Sequence, residues 1–117
     1  MKDDFWERLD QLTAEEKLYI DRPKGSRHPI YPDSIYPLDY GYLEGTHSPD
    51  GEGIDVWMGT AGYRTLTGLI VTLDTLKHDT EIKLLLGCTE QETQAILAFH
   101  NQNRMRAIHI PRPKDDA

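Results

Sequence analysis

Three carboxylates fall within six residues in Asp50-Gly51-Glu52-Gly53-Ile54-Asp55. The two glycines loosen the backbone enough for the acidic oxygens to turn toward one point. Mutual repulsion makes that convergence costly unless a hard cation sits between them. Mg²⁺ suits such a group, since it takes oxygen ligands at roughly 2.0–2.1 Å and keeps several of its waters. A solvated acidic turn is the competing reading of the same residues. Further along stand Asp74, Asp79 and Glu81, with Lys83 two positions after Glu81. On a strand, the period of two puts Glu81 and Lys83 on one side. A carboxylate for a metal beside an ammonium for a phosphate suits phosphate-ester or anhydride chemistry; a surface ion pair is the plainer alternative.

Other motifs fail on inspection. An EF-hand starting at Asp50 needs glycine at its sixth position and glutamate at its twelfth, where Asp55 and Ala61 stand. A dinucleotide fingerprint from Gly51 needs a third glycine where Val56 stands. Lys24-Gly25-Ser26 reverses the order of a phosphate loop, and there is no Gly-x-Ser-x-Gly elbow. His28, His47, His78, His100 and His109 are scattered without a His-x₃-His pair and read as surface or structural residues. Cys88 is alone, which excludes an intrachain disulfide and a multi-thiolate zinc site.

The elements that must carry these groups read as follows. Phe5, Leu9 and Leu12 at helical spacing predict a short first helix, with Trp6 beside them. Thr13 with Glu16 forms a possible capping box, but Leu18-Tyr19-Ile20 favours a strand there. Five of the seven prolines lie in residues 21–53, so long regular elements are not expected. Tyr31, Ile35, Tyr36, Leu38, Tyr40, Tyr42 and Leu43 supply too much apolar surface for a flexible linker, so this stretch reads as an ordered loop packed on the core. Ile54–Met58, Thr65–Leu73 and Glu81–Leu86 are strand candidates. Thr89 and Glu92 form a capping box for a second helix, and Ala107–Ile110 makes a last strand. The pattern predicts one α+β domain over residues 1–117, a small closed β-barrel with flanking helices.

With 117 residues and a formal charge of −7, the chain is a poor match for nucleic acid or an anionic membrane. No apolar run is long enough to cross a bilayer, and no signal-peptide core follows Met1-Lys2-Asp3-Asp4, which points to the cytoplasm.

Taken together these residues resemble the soluble family I inorganic pyrophosphatases. Tyr36-Pro37-x-x-Tyr40-Gly41-Tyr42 is followed, ten residues after Tyr40, by Asp50-Gly51-Glu52-Gly53-Ile54-Asp55. The family pattern is Tyr-Pro-x-x-Tyr-Gly, then Asp-x-Asp-Pro-x-Asp at the same spacing. Asp21-Arg22-Pro23-Lys24-Gly25-Ser26 is similar to the family's Glu-x-Pro-Lys-Gly-Ser strand, and Glu81-x-Lys83 to its Asp-x-Lys pair. The resemblance implies a pyrophosphatase-type barrel of oligonucleotide-binding shape and Mg²⁺-dependent hydrolysis of pyrophosphate or another small phosphoanhydride, with Mn²⁺ as the alternative ion. It implies metal ligation by Asp50, Glu52, Asp55, Asp74, Asp79 and Glu81, with Glu52 and Asp55 as the catalytic residues and Glu52 or its neighbours placing the attacking water. It further implies phosphate contacts from Tyr40 and Lys83, with Arg27 or His28 standing in for a missing basic residue, and assembly as a homo-oligomer.

The departures are specific. Glu52 replaces an aspartate and Gly53 a proline; the hairpin before the tyrosine motif is nearly absent, with its basic and acidic ligands. Near the C-terminal helix, Asn101, Asn103, Arg104 and Arg106 occupy the region of the family's Tyr-Lys phosphate clamp. A misplacement of about 1 Å in such a cluster can cost roughly 100-fold in rate. The same residues therefore also fit a weakened relative that binds metal and a phosphorylated ligand or protein partner.

Overall fold

The computed structural model describes residues 4–48, 52–61 and 64–114. The chain begins with helix α1 (Phe5–Glu15), whose Trp6 and Thr13 are buried while Leu9 and Leu12 pack on the same core. Thr13 lies inside this helix, its hydroxyl returned to the Asp10 carbonyl, and does not cap a second one. The backbone turns extended at Glu16 and enters strand β1 (Leu18–Arg22). The remaining elements are β2 (Asp39–Leu43), β3 (Ile54–Met58), β4 (Leu66–Asp74), β5 (Asp79–Leu86), α2 (Glu90–His100) and β6 (Met105–Pro111).

The six strands form one sheet in the order β1-β2-β3-β5-β4-β6, antiparallel throughout except for the parallel pair β3 and β5. Strand alternation sorts the side chains into two cores. Leu43, Val56, Leu69 and Leu84 face α1; Trp57, Ile70 and Leu85 face α2 and its Ile96. Each face of the sheet is therefore covered by one helix. A bidentate ion pair between Arg112 and Asp10, both contacts at 2.8 Å, fastens the chain beyond β6 to α1.

The expected α+β class holds, but the expected closed barrel does not. Among the described residues no ladder joins β1 to β6, and the sheet ends at these two strands. Closure needs strands long enough to tilt and stagger around an axis, whereas β1, β2 and β3 have only five residues each.

The ordered loop expected over 21–53 is found at 23–38 and corrected at 39–43, which form β2. Backbone bonds between Gly25 and Tyr36, Ser26 and Tyr36, and His28 and Ser34 draw the loop into a small irregular hairpin. Gly41 hides β2 from a propensity reading because glycine is a weak strand former. Here it is obligatory: a Cβ at Gly41 would lie 1.8 Å from the Tyr19 carbonyl oxygen on β1.

The predicted capping box at α2 is present. Thr89 accepts from the Glu92 backbone and Glu92 returns to the Thr89 N–H. Glu92 also accepts from the backbone and hydroxyl of Thr60, which stitches the loop after β3 to the helix start. Burial opposes ionisation of this carboxyl, but the bonds from Thr60 and Thr89 outweigh it and lower its pKa. Among the described residues no helix is long and apolar enough to cross a membrane.

Candidate functional site

The parallel contact of β3 with β5 sets Asp55 level with Lys83, and the antiparallel contact of β2 with β3 sets Tyr40 opposite Trp57. Side-chain alternation then turns Tyr40, Asp55, Glu81 and Lys83 to the α2 face of the sheet. Lys83 is 4 % exposed. Its ammonium donates to Tyr40 Oη at 2.8 Å, Asp55 Oδ2 at 2.8 Å and Glu81 Oε2 at 3.2 Å. Its three N–H bonds thus meet three acceptors. The two carboxylates remain about a quarter open to solvent.

Burial works against the Lys83 ammonium, yet the Tyr40 oxygen and the Asp55 carboxylate beside it prevail and hold its pKa above the ordinary value. Tyr40 is pushed up, first by burial and further by Asp55, so the phenol stays protonated. The cluster is one ammonium, one neutral phenol and two carboxylates, a local charge of −1 that attracts a cation.

Asp74 lies on the same face, two positions beyond the residue that pairs with Glu81. One of its oxygens accepts the backbone N–H groups of Leu76 at 2.9 Å and Lys77 at 3.0 Å, closing the β4–β5 turn. The Lys77 bond is the main reason its pKa is lowered, with burial opposing. Its place in the sequence is thus accounted for by the turn, while it also lines a cavity with Tyr40 and Lys83. Asp79 is its partner at the turn end of that hairpin and is exposed.

The other expected residues stand apart. Glu52 is exposed ahead of β3, and its backbone carbonyl holds the amide and hydroxyl of Ser48. Arg27 is exposed in the 23–38 hairpin and donates to the Pro32 carbonyl at 2.9 Å. Asp50 lies outside the described residues. The structure brings together Asp55, Glu81, Lys83 and Tyr40, and Asp74 lines the cavity that Tyr40 and Lys83 also line. Among the described residues no three His, Cys, Asp or Glu side chains are grouped to hold a metal ion.

The cavity of about 140 Å³ beside Lys83 also takes in His28 and Arg104, together with His100, which the sequence had not marked as a site residue. His100 is buried and accepts from the Trp57 indole at 3.0 Å. Burial, with Lys83 and His28 nearby, lowers its pKa to about 3, so it is neutral. Burial also lowers that of His28, aided by Arg22 and Lys77. The contact that seats His100 runs to Trp57, a distant part of the chain, and only the second helix's apolar face hinted that His100 would be inside. Asp55 and Glu81 border a second hollow of about 340 Å³ as well, walled by Phe5, Leu9, Ile54 and Ile82. Compared with known proteins, the chain matches no family model and no curated protein.

Proposed function

We propose that the chain is a divalent-metal-dependent phosphoanhydride hydrolase acting on pyrophosphate, with its reaction centre at Tyr40, Asp55, Glu81 and Lys83. The observation that carries this reading is the Lys83 ammonium held by two partly exposed carboxylates and a phenol. In this reading the open sheet is a relative of the oligonucleotide-binding-type barrel, its closure lost with the shortened hairpin, and it works in the cytoplasm.

The donor set fits Mg²⁺ in kind. Mg²⁺ is commonly bound through one or two carboxylates, with substrate phosphates and waters completing the shell. Asp55 and Glu81 supply two such oxygens. When bound, the ion supplies a water of lowered pKa and neutralises charge on the phosphates. The chain's own residues do the rest. Asp55 and Glu81 fix the ion's position, and Lys83 balances their charge and turns toward a phosphate when one displaces an acceptor. Tyr40, protonated and buried, offers its O–H to a phosphate oxygen. Positioning and electrostatics are what phosphoryl transfer mainly requires.

A specific observation favours a second reading. All three N–H bonds of Lys83 are already engaged, so a phosphate must compete with Asp55, Glu81 or Tyr40. A domain that binds metal and a phosphorylated ligand without turnover would be built this way.

A homo-oligomer belongs to the proposal. On the α1 face of the sheet, Leu73, Ile82 and Ile108 lie beyond the helix and are 49 %, 52 % and 62 % exposed. Val71 sits between Ile82 and Ile108 in register, making one apolar strip that a second copy could cover. Sedimentation equilibrium reading a single monomer mass at micromolar concentration would remove this element.

Orthophosphate release from pyrophosphate, with Mg²⁺, with Mn²⁺ and with EDTA, tests the function. Turnover that needs metal and falls about 100-fold or more in Asp55→Asn is expected. Full activity in that variant overturns the site; Mg²⁺-induced thermal stabilisation without turnover selects the second reading.

A further inference from the structure

The cavity beside Lys83 has walls that a bare diphosphate does not need. Tyr31, Tyr36, Tyr40 and Phe99 line it together with the rings of His28 and His100. An inorganic diphosphate is polar on every side and gains nothing from aromatic carbon. The volume of about 140 Å³ is close to the ~150 Å³ of an engineered apolar cavity that takes up benzene. One flat six-membered ring fills such a space, whereas part of a fused pair of rings would project from its open side into solvent.

The hydrogen-bonding groups are also set for a neutral planar ligand. His28 Nδ1 accepts from the backbone of Ile30 at 3.1 Å and of Tyr31 at 3.2 Å, which leaves the proton of the neutral ring on Nε2. His100 Nε2 accepts from Trp57, which leaves its proton on Nδ1. The cavity is thus bordered by two neutral imidazoles of fixed tautomer, each with one N–H. The Arg104 guanidinium lines the same space, and among the described residues no hydrogen bond or ion pair holds it. It can bind a phosphate in the bidentate manner that arginine favours.

We propose that this cavity is a ring-binding subsite, and that the phosphoanhydride taken by the protein is a nucleoside diphosphate or triphosphate with a single-ring base. The base stacks on Tyr31 and Phe99. Its phosphates reach past Arg104 and Lys83 toward Asp74 and Glu81. This inference rests on the phosphoanhydride reading above. With a nucleoside diphosphate, a water oxygen bonds to the terminal phosphorus and the bridging P–O bond breaks. The nucleoside monophosphate leaves with the bridging oxygen and its electron pair, and the water's proton passes to solvent.

The test is calorimetric titration of the full chain with uridine 5′-monophosphate, adenosine 5′-monophosphate and orthophosphate, followed by orthophosphate release from uridine 5′-diphosphate and from pyrophosphate. Uridine monophosphate is expected to bind about tenfold or more tightly than orthophosphate, the scale of one base stacked on an aromatic ring. Tyr31→Ala should remove about tenfold of that affinity and Tyr31→Phe should keep it, with thermal melting to confirm that both variants fold. Arg104→Gln should weaken uridine monophosphate and orthophosphate alike. Uridine monophosphate binding no tighter than orthophosphate overturns the subsite, even if pyrophosphate is hydrolysed. Tight binding with no orthophosphate from either substrate overturns the hydrolase reading and leaves the subsite standing. Equal affinity for the adenine nucleotide overturns the single-ring preference.

Discussion

The indole of Trp57 donates to Nε2 of His100 across 3.0 Å, joining the middle strand β3 to the last residue of α2. Trp57 is wholly buried, and the rings of Tyr36, Tyr40 and Phe99 pack around it within 6 Å between centroids. The bond fixes which nitrogen of His100 faces the core and seats α2 on the sheet beside the Lys83 cluster.

Stability should therefore fall on mild acidification. The unfolded chain takes up a proton at His100 near pH 6.5, whereas the folded chain does so only near 3. The contribution is complete above pH 6.5 and declines as pH drops toward 3, reaching a loss of up to about 2 kcal/mol at pH 5. His28, whose pKa is also lowered, acts in the same direction. Urea melts at pH 7.5 and pH 5 should show a smaller difference in His100→Gln, which keeps an acceptor for the indole but cannot titrate. An unchanged difference would mean that His100 is protonated in the fold.

Lys83→Met should destabilise the protein by about 2 kcal/mol. Removing one partner of a buried pair typically costs 3–5 kcal/mol, and the partial exposure of Asp55 and Glu81 screens some of that. The freed carboxylates should then bind Mg²⁺ more tightly than in the parent, so that added Mg²⁺ raises the melting temperature of the variant by more. A variant indifferent to Mg²⁺ would show that Asp55 and Glu81 do not form a cation site.

Gly41→Ala should be among the most damaging substitutions of a single methyl. The new Cβ meets a backbone carbonyl that cannot rotate away, so β1 must separate from β2. A loss of about 3 kcal/mol or more is expected from chemical denaturation, at the upper end of overpacking effects. A variant of parental stability would mean that β1 is not seated on β2.

Cys88 should resist thiol reagents in the native state. Burial, reinforced by the Glu92 carboxylate, pushes its pKa up to about 12. Release of aromatic thiol from a disulfide reagent should therefore track global unfolding in urea. Rapid labelling of the folded protein would show that the region where β5 passes into α2 opens locally.

Most elements were legible because their signals are local. The apolar, strand-favouring run Ile54–Met58, the Thr89–Glu92 box and the helical spacing of Phe5, Leu9 and Leu12 each lie within one short window, and α1, β3 and α2 follow them. β2 was not legible, because Gly41 is chosen for contact with a strand some twenty residues earlier and against its own strand propensity. The candidate site was read in part. Glu81 and Lys83 share a strand, so their common side follows from the period of two. Asp55 joins them only through the parallel pairing of β3 with β5, which β4 interrupts in sequence. The dense acidic run drew Glu52 into the expected cluster, yet Glu52 precedes the strand that would hold it in register.

The Asp10–Arg112 pair closes a loop of nearly the whole chain, its members being 102 residues apart. Closing so long a loop carries an entropy cost that shorter-range contacts do not share, so this clasp forms after the sheet has assembled. Its strength belongs to the way out of the native state. Breaking it with Asp10→Asn would shorten the lifetime of the folded protein and leave the speed of folding almost untouched.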